Sequence, residues 1–261
     1  MKKWICVLVI IFSINTLQAK TLIVSDVDDT VKVTDVLNKA NAVYNALFSK
    51  AAFSGMSALY RELNTSESLF YYVSGSPTFL ENKITTFLEF NNFPQKENLI
   101  LKNGMNTPTY DYKLAAISKI IKAENPDKVI LIGDDTEYDP EVYETISKNF
   151  PGKVESIYIR AIRNRELPKL EVMKNFFSTA EIAGFEILKG DLGSMSLVKV
   201  ATSFIRKDNE SKIFIKERYC PAEGRGQIEE LKQSVRRQIE IATLELVQQK
   251  IISTCTNVLS I

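Results

Sequence analysis

Asp26-Val27-Asp28-Asp29-Thr30 puts three carboxylates into four consecutive positions. Like charges packed this closely are costly unless a cation offsets them. A hard divalent ion with a preference for oxygen, Mg²⁺ above all, would remove that cost. A second segment, Ser74-Gly75-Ser76-Pro77, sets a hydroxyl beside an expected helix start, where free backbone N–H groups hold phosphate. Ser76 reads as the cap of that helix and Pro77 as its first residue, which leaves Ser74 for ligand binding. Lys113 falls in the first turn of another expected helix, behind an Asp111 cap. A cation there opposes the helix dipole, so a nearby anion explains it better than helix stability does. In a third segment, Gly133-Asp134-Asp135-Thr136-Glu137-Tyr138-Asp139, the glycine permits a tight exit from a strand and Asp134 points at the same metal. Asp139 is both a candidate ligand and a natural cap before Pro140. Taken singly, these segments also fit an acidic turn, a cap or a solvated lysine. Their order and shared placement carry the reading. Histidine is absent from the chain, which excludes Ser-His-Asp triads and histidine-ligated zinc.

The elements that must position these residues are strands alternating with helices. Thr21–Ser25 is a short apolar run ending at Asp26. Leu69–Val73, Leu99–Leu101, Lys128–Ile132 and Val154–Ile159 are further strands. Residues 35–63 read as mostly helical, with Val36, Ala40, Val43 and Leu47 at three- and four-residue steps. Helices are also expected from about Pro77 to Phe90, over Asp111–Ala123, and from Asp139 onward. This alternation predicts an α/β fold, a Rossmann-like parallel sheet with helices on both faces. Ligands then bind beyond the carboxyl ends of the strands, where all three segments lie. Past residue 190 the chain reads as a helical C-terminal extension, with one helix over Glu229–Lys250 whose apolar stripe is a packing face.

The first residues are of another kind. Lys2 and Lys3, the apolar run Ile5–Ile14 and the polar stretch ending at Ala19 form a secretory signal pattern, with cleavage after Ala19. The expected organisation is thus a signal peptide over 1–19, a catalytic domain over 20–190 and an extension over 191–261. Loss of residues 1–19 removes two lysines and no acids, so 33 − 2 = 31 bases face 32 acids. A nearly neutral chain gives no reason to expect a nucleic-acid partner. Cys220 and Cys255 remain after cleavage, either as a disulfide or as two buried thiols.

Asp26-x-Asp28-x-Thr30, Ser74, Lys113 and Gly133-Asp134…Asp139 resemble the four ordered motifs of the haloacid-dehalogenase-like phosphatases. The chain is more similar still to the phosphatidate phosphatases of the actin-patch-associated family. That likeness rests on SDVDDTVKVTDV (25–36), GMSALYREL (55–63), FYYVSGSP (70–77), KLAAISKII (113–121), LIGDDTEYDPEVY (131–143) and FPGKVESIYIR (150–160). The resemblance implies a Mg²⁺-dependent phosphatase acting on a phosphorylated substrate, a lipid phosphate such as phosphatidate by preference; the alternatives are an exported phosphatase of a non-lipid substrate and a non-catalytic phosphate-binding module. No insertion large enough for a separate cap domain follows Thr30 or Ser74. It implies Asp26 as nucleophile and Asp28 as acid and base, with Thr30, Ser74 and Lys113 on the phosphate. Asp26, Asp28 (through its carbonyl), Asp134 and Asp139 are the implied metal ligands. In one respect the chain departs from the family: Asp135 and Thr136 stand where serine and glycine are usual, which leaves Asp134 and Asp135 both open as ligands. Arg160 and Arg163, beyond the last strand, read as solvated rather than as headgroup contacts.

Overall fold

Leu22-Ile23-Val24 is apolar at consecutive positions, which suits a strand buried on both faces. The computed structural model of the protein describes residues 19–34, 49–104, 107–163, 165–207, 220 and 222–259. In it this run is β1 (Thr21–Ser25), at the centre of one sheet with β2 (Ser68–Pro77), β3 (Leu99–Lys102), β4 (Lys128–Asp134), β5 (Val154–Arg160) and β6 (Met173–Phe176). Neighbouring strands pair in parallel in the order β3-β2-β1-β4-β5-β6. The helices in chain order are α1 (Met56–Leu63), α2 (Glu81–Phe90), α3 (Thr109–Glu124), α4 (Asp139–Asn149), α5 (Thr179–Lys189), α6 (Ser194–Arg206), α7 (Ala222–Ser234) and α8 (Gln238–Leu259).

Alternation along the strands divides the core into two layers. Ile23, Phe70, Tyr72, Ile130 and Ile132 meet α1, α2 and the helices from α5 onward. Leu22, Val24, Val73, Val129 and Leu131 meet Ile117, Ile120 and Ile121 of α3 and Val142 and Ile146 of α4. Helices therefore cover both faces, as the alternation requires. The helices past residue 190 are not a separate body. Leu197, Val200 and Phe204 of α6 and Leu244, Val247 and Ile251 of α8 belong to the same buried cluster as Ile23. A Cys220–Cys255 disulfide ties the segment before α7 to α8.

Several expected elements take different bounds. Among the described part of the expected 35–63 helix only Met56–Leu63 is helical. Residues 51–53 run beside the loop after β1, with backbone hydrogen bonds from Val33 to Ala51 and from Phe53 to Val31. Residues 1–18 of the expected signal segment and 35–48 of the expected helix lie outside the described residues. The helix expected from Pro77 begins at Glu81, because β2 runs on through Pro77 and a 3-10 turn, Thr78–Leu80, intervenes. The single helix expected over Glu229–Lys250 is two, α7 and α8. Glu240 reaches back to accept the Arg237 N–H at 3.2 Å and the Ser194 hydroxyl at 2.6 Å. That capping starts a new helix where the apolar stripe alone would continue the old one.

Candidate active site

The strand order reverses on either side of β1, and the crevice at such a switch point is where an open α/β sheet binds ligands. Ser25 of β1 is level with Ile132 of β4 and Tyr72 of β2. Asp26 just past β1, Asp134 at the end of β4 and Ser74 near the end of β2 therefore lie along one rim. The Asp26 N–H donates to the Ile132 carbonyl at 2.9 Å, which fixes the turn out of β1. Lys113 donates to Asp26 Oδ1 at 2.7 Å and to Asp139 Oδ1 at 2.5 Å, and all three side chains are almost wholly buried. α3 begins at Thr109, so Lys113 lies a full turn inside the helix and Asp111 is a first-turn residue rather than the cap. The anion inferred from a misplaced lysine is thus a pair of carboxylates.

Asp139 is the first residue of α4, following Tyr138 at the cap position. Its Oδ2 accepts the Asp134 N–H at 3.3 Å, which turns the carboxylate back over the end of β4. That close approach is what Gly133 allows: a Cβ there would lie 2.8 Å from Asp139 Cβ and 2.5 Å from Asp139 Oδ2. Gly133→Ala should therefore displace Asp139. Overpacking of this kind costs about 1–3 kcal/mol, more than the ~0.5–1 kcal/mol a strand gains on losing a glycine. Site misplacement of about 1 Å costs roughly 10²-fold in rate. Thermal melting and phosphate release should both fall by these margins; an alanine variant as stable and active as the parent would refute the packing argument.

Among the described residues, Asp26, Asp134 and Asp139 are the acidic group able to bring three carboxylate oxygens within 4.8 Å of one another. One ammonium, Lys113, stands against three buried acids. Burial pushes the Asp26 carboxyl well above the usual carboxylate range, with Lys113 opposing and Asp139, Asp134 and Asp28 adding to the rise. Burial, then Asp139, pushes Asp134 up to about 7. Burial disfavours the Lys113 charge too, but Asp139, Asp26 and Asp134 outweigh it and hold that ammonium well above an ordinary lysine. Uncompensated negative charge in a dry, all-oxygen donor set is what a hard divalent cation fits.

The remaining candidates sort themselves by contact. Asp28 is half-buried and faces three hydroxyls: Ser76 Oγ donates to its Oδ2 at 2.8 Å, Ser74 Oγ to the same oxygen at 3.3 Å, and Thr34 Oγ1 to Oδ1 at 2.9 Å. Ser76 is therefore no helix cap. Thr30 donates its hydroxyl to Asp134 Oδ2 at 2.9 Å, while Thr136 donates its N–H to Asp134 Oδ1 at 2.7 Å. Both orient the acid at the end of β4. Asp135 turns away from the triad. Its Oδ1 accepts the Ile162 and Arg163 N–H groups at 2.7 Å each, and Oδ2 accepts that of Arg165 at 3.2 Å. The extra acid thus anchors the loop after β5, and Asp134 is the one that faces Asp26. Arg160, read from sequence as solvated, is only 2% exposed. Its guanidinium lies over the rings of Phe53 and Phe176, at 4.0 and 4.6 Å, and donates to the Thr30 carbonyl at 3.0 Å. Arg163 is exposed as expected. Sequence reasoning passed over Thr34 and misread Ser76 as a cap and Arg160 as solvated; the short spacing from Asp28 to a hydroxyl at position 34 is the one local signal that could have found Thr34.

The family model for the catalytic domain of phosphatidate phosphatase APP1 matches residues 21–161. Phosphatidate phosphatase APP1 of Saccharomyces cerevisiae is 30% identical over 157 residues, 54% of this chain and 26% of its own length. An uncharacterized protein of Schizosaccharomyces pombe is 28% identical over 150 residues, 54% of this chain and 25% of its own. The chain thus spans about a quarter of the length of these relatives. Among solved structures, the tungstate-bound class C acid phosphatase of Bacillus anthracis superposes loosely, at a TM-score of 0.37 and 16% identity over 53% of this chain and 66% of that one. With more than half of the chain matched, from β1 to the end of β5, the protein belongs to the family of phosphatidate phosphatase APP1 catalytic domains.

Proposed function

We propose that the protein is a Mg²⁺-dependent phosphatase that works through a phosphorylated Asp26. The observation that carries this reading is the meeting of Asp26, Asp134, Asp139 and Lys113 at one buried point, with Asp28 beside them on the hydroxyls of Ser74 and Ser76. Asp26, Asp134 and Asp139 would hold the divalent cation. When bound, that cation supplies positive charge against the phosphoryl oxygens. An Asp26 oxygen attacks phosphorus, and the bond from phosphorus to the ester oxygen breaks. Asp28 gives its proton to the departing oxygen. It then takes one from the water that hydrolyses the aspartyl-phosphate, which frees phosphate and restores Asp26. Lys113 keeps one Asp26 oxygen fixed at 2.7 Å and leaves the other to react. The Ser74 hydroxyl, the longest of the three hydrogen bonds to Asp28, is the one best able to turn toward a phosphate.

The yeast relative's name supports a lipid phosphate such as phosphatidate as substrate. Two features support export: the amino-terminal signal pattern, and a disulfide of the kind that persists in oxidising compartments. Amino-terminal sequencing of protein recovered outside the cytoplasm should begin near Lys20, and an intact Met1 on most molecules would overturn export. The activity itself is tested by release of inorganic phosphate from phosphatidate vesicles, nucleotides, sugar phosphates and phosphopeptides. Release is expected with Mg²⁺, fastest from phosphatidate, lost on chelation and regained on adding Mg²⁺ back. Full activity after exhaustive metal removal would overturn the metal, and faster release from a soluble ester would overturn the lipid.

A further inference from the structure

The acid in a proton transfer must stand within hydrogen-bond reach of the leaving oxygen, about 2.6–3.2 Å. An aspartate does not hold such a position unaided, because its terminal torsion is broad and roughly two-fold. Here the Asp28 carboxylate is gripped at both oxygens. Thr34 Oγ1 donates to Oδ1 at 2.9 Å and Ser76 Oγ donates to Oδ2 at 2.8 Å. Each of these groups is itself fixed. Thr34 is 3% exposed and its N–H donates to Asp29 Oδ1 at 2.9 Å. As a β-branched residue it has few rotamers available. Ser76 lies in the last stretch of β2 and gives its N–H to Ser74 Oγ at 3.0 Å. The grip therefore joins the nucleophile loop to the end of the neighbouring strand.

We infer that Thr34 and Ser76 are positioning residues for proton transfer by Asp28, an inference that rests on the phosphatase reading above. Ser74 differs from them, since its longer hydrogen bond of 3.3 Å can be given up to a phosphate oxygen. Once Ser74 turns, Thr34 and Ser76 are what keep Asp28 aimed at the ester oxygen. Hydroxyls suit this duty because each can donate to the carboxylate and, on rotating, accept from the carboxylic acid. The grip thus survives both halves of the reaction.

The test is burst kinetics on an alkyl phosphate and on p-nitrophenyl phosphate with the full-length protein and Mg²⁺, in wild type, D28N, T34V, T34S and S76A. Misplacement of about 1 Å costs roughly 10²-fold. T34V and S76A should each slow the alkyl burst about 10- to 100-fold with KM nearly unchanged. The aryl burst, which needs no proton, should hardly move. T34S, which keeps the hydroxyl, should recover most of the lost rate. Equal losses on both substrates, a rise in KM alone, or a T34S as slow as T34V would overturn the inference. If T34V does not fold, S76A decides by the same readouts. A substrate split in D28N without one in T34V or S76A would sink the positioning role alone. No split in D28N would sink the acid role and the positioning role together, and absence of turnover in the wild type would sink the phosphatase reading.

Discussion

Asp26→Asn is expected to remove phosphate release from every ester alike while leaving the fold intact or firmer. Deleting a catalytic nucleophile costs on the order of 10⁶-fold, or roughly 8 kcal/mol of barrier. The amide offers no anionic oxygen to attack phosphorus, so the loss should not depend on the leaving group. Stability should move the other way. Three buried carboxylates share one ammonium in the metal-free protein, and the substitution removes one of the repelling charges. Lys113 keeps its ion pair with Asp139 and is not stranded. Melting without metal should therefore match or exceed that of the wild type, whereas the rise on adding Mg²⁺ should shrink, because a ligand that binds the native state stabilises it in proportion to its affinity. Phosphate release and melting with and without Mg²⁺ read both halves. Residual turnover above background, or a marked fall in metal-free melting temperature, would count against Asp26 as nucleophile in a charge-strained site.

The second large effect belongs to Asp28 and depends on the substrate. In Asp28→Asn the three surrounding hydroxyls can rotate to suit the amide, so the side chain should stay in place. What is lost is the transferable proton. General acid catalysis is worth ~10²–10⁴-fold, or about 3–5 kcal/mol. That loss should appear in full for alkyl phosphates, whose alkoxides need protonation, and be much smaller for p-nitrophenyl phosphate, whose leaving group departs as a stable anion. Burst or single-turnover rates are required, because losing an acid that also assists the later hydrolysis would slow steady-state turnover of both esters. Equal burst losses on the two would point to another proton donor.

The candidate site was legible in the sequence where a residue's type is unusual for its place or where it follows a short apolar run. Asp26, Ser74 and Asp134 reach the rim of the sheet because the apolar runs of neighbouring parallel strands finish level with one another, and Lys113 and Asp139 come to it from the N-terminal parts of α3 and α4. Residues whose type suits a commonplace local role, which only a distant partner overrides, were misread. Asp135 looks like a metal ligand until Ile162, Arg163 and Arg165 present their N–H groups to it. Arg160 looks solvated until Phe53 and Phe176 close on it. Ser76 has a cap's sequence context, but β2 continues past it through a shifted register with β3. β6 was missed for a different reason: of Met173–Phe176 only the two end residues are buried, too little periodicity to read as a strand.

Because β1 is flanked by β2 and β4, Asp26 and its companions come from far-separated parts of the chain. Thr30 and Asp134 are 104 residues apart, and Lys113 and Asp26 are 87 apart. Closing loops of that length is entropically unfavourable until the intervening strands and helices are in place. During synthesis the Asp26 loop is therefore made before Lys113, Asp134 and Asp139, and it lacks all three until β4 docks against β1. A nascent or unfolded chain carries Asp26 without the partners that would make it reactive. Phosphatase activity should consequently lag behind helix formation during refolding, appearing only with the closure of the sheet's centre.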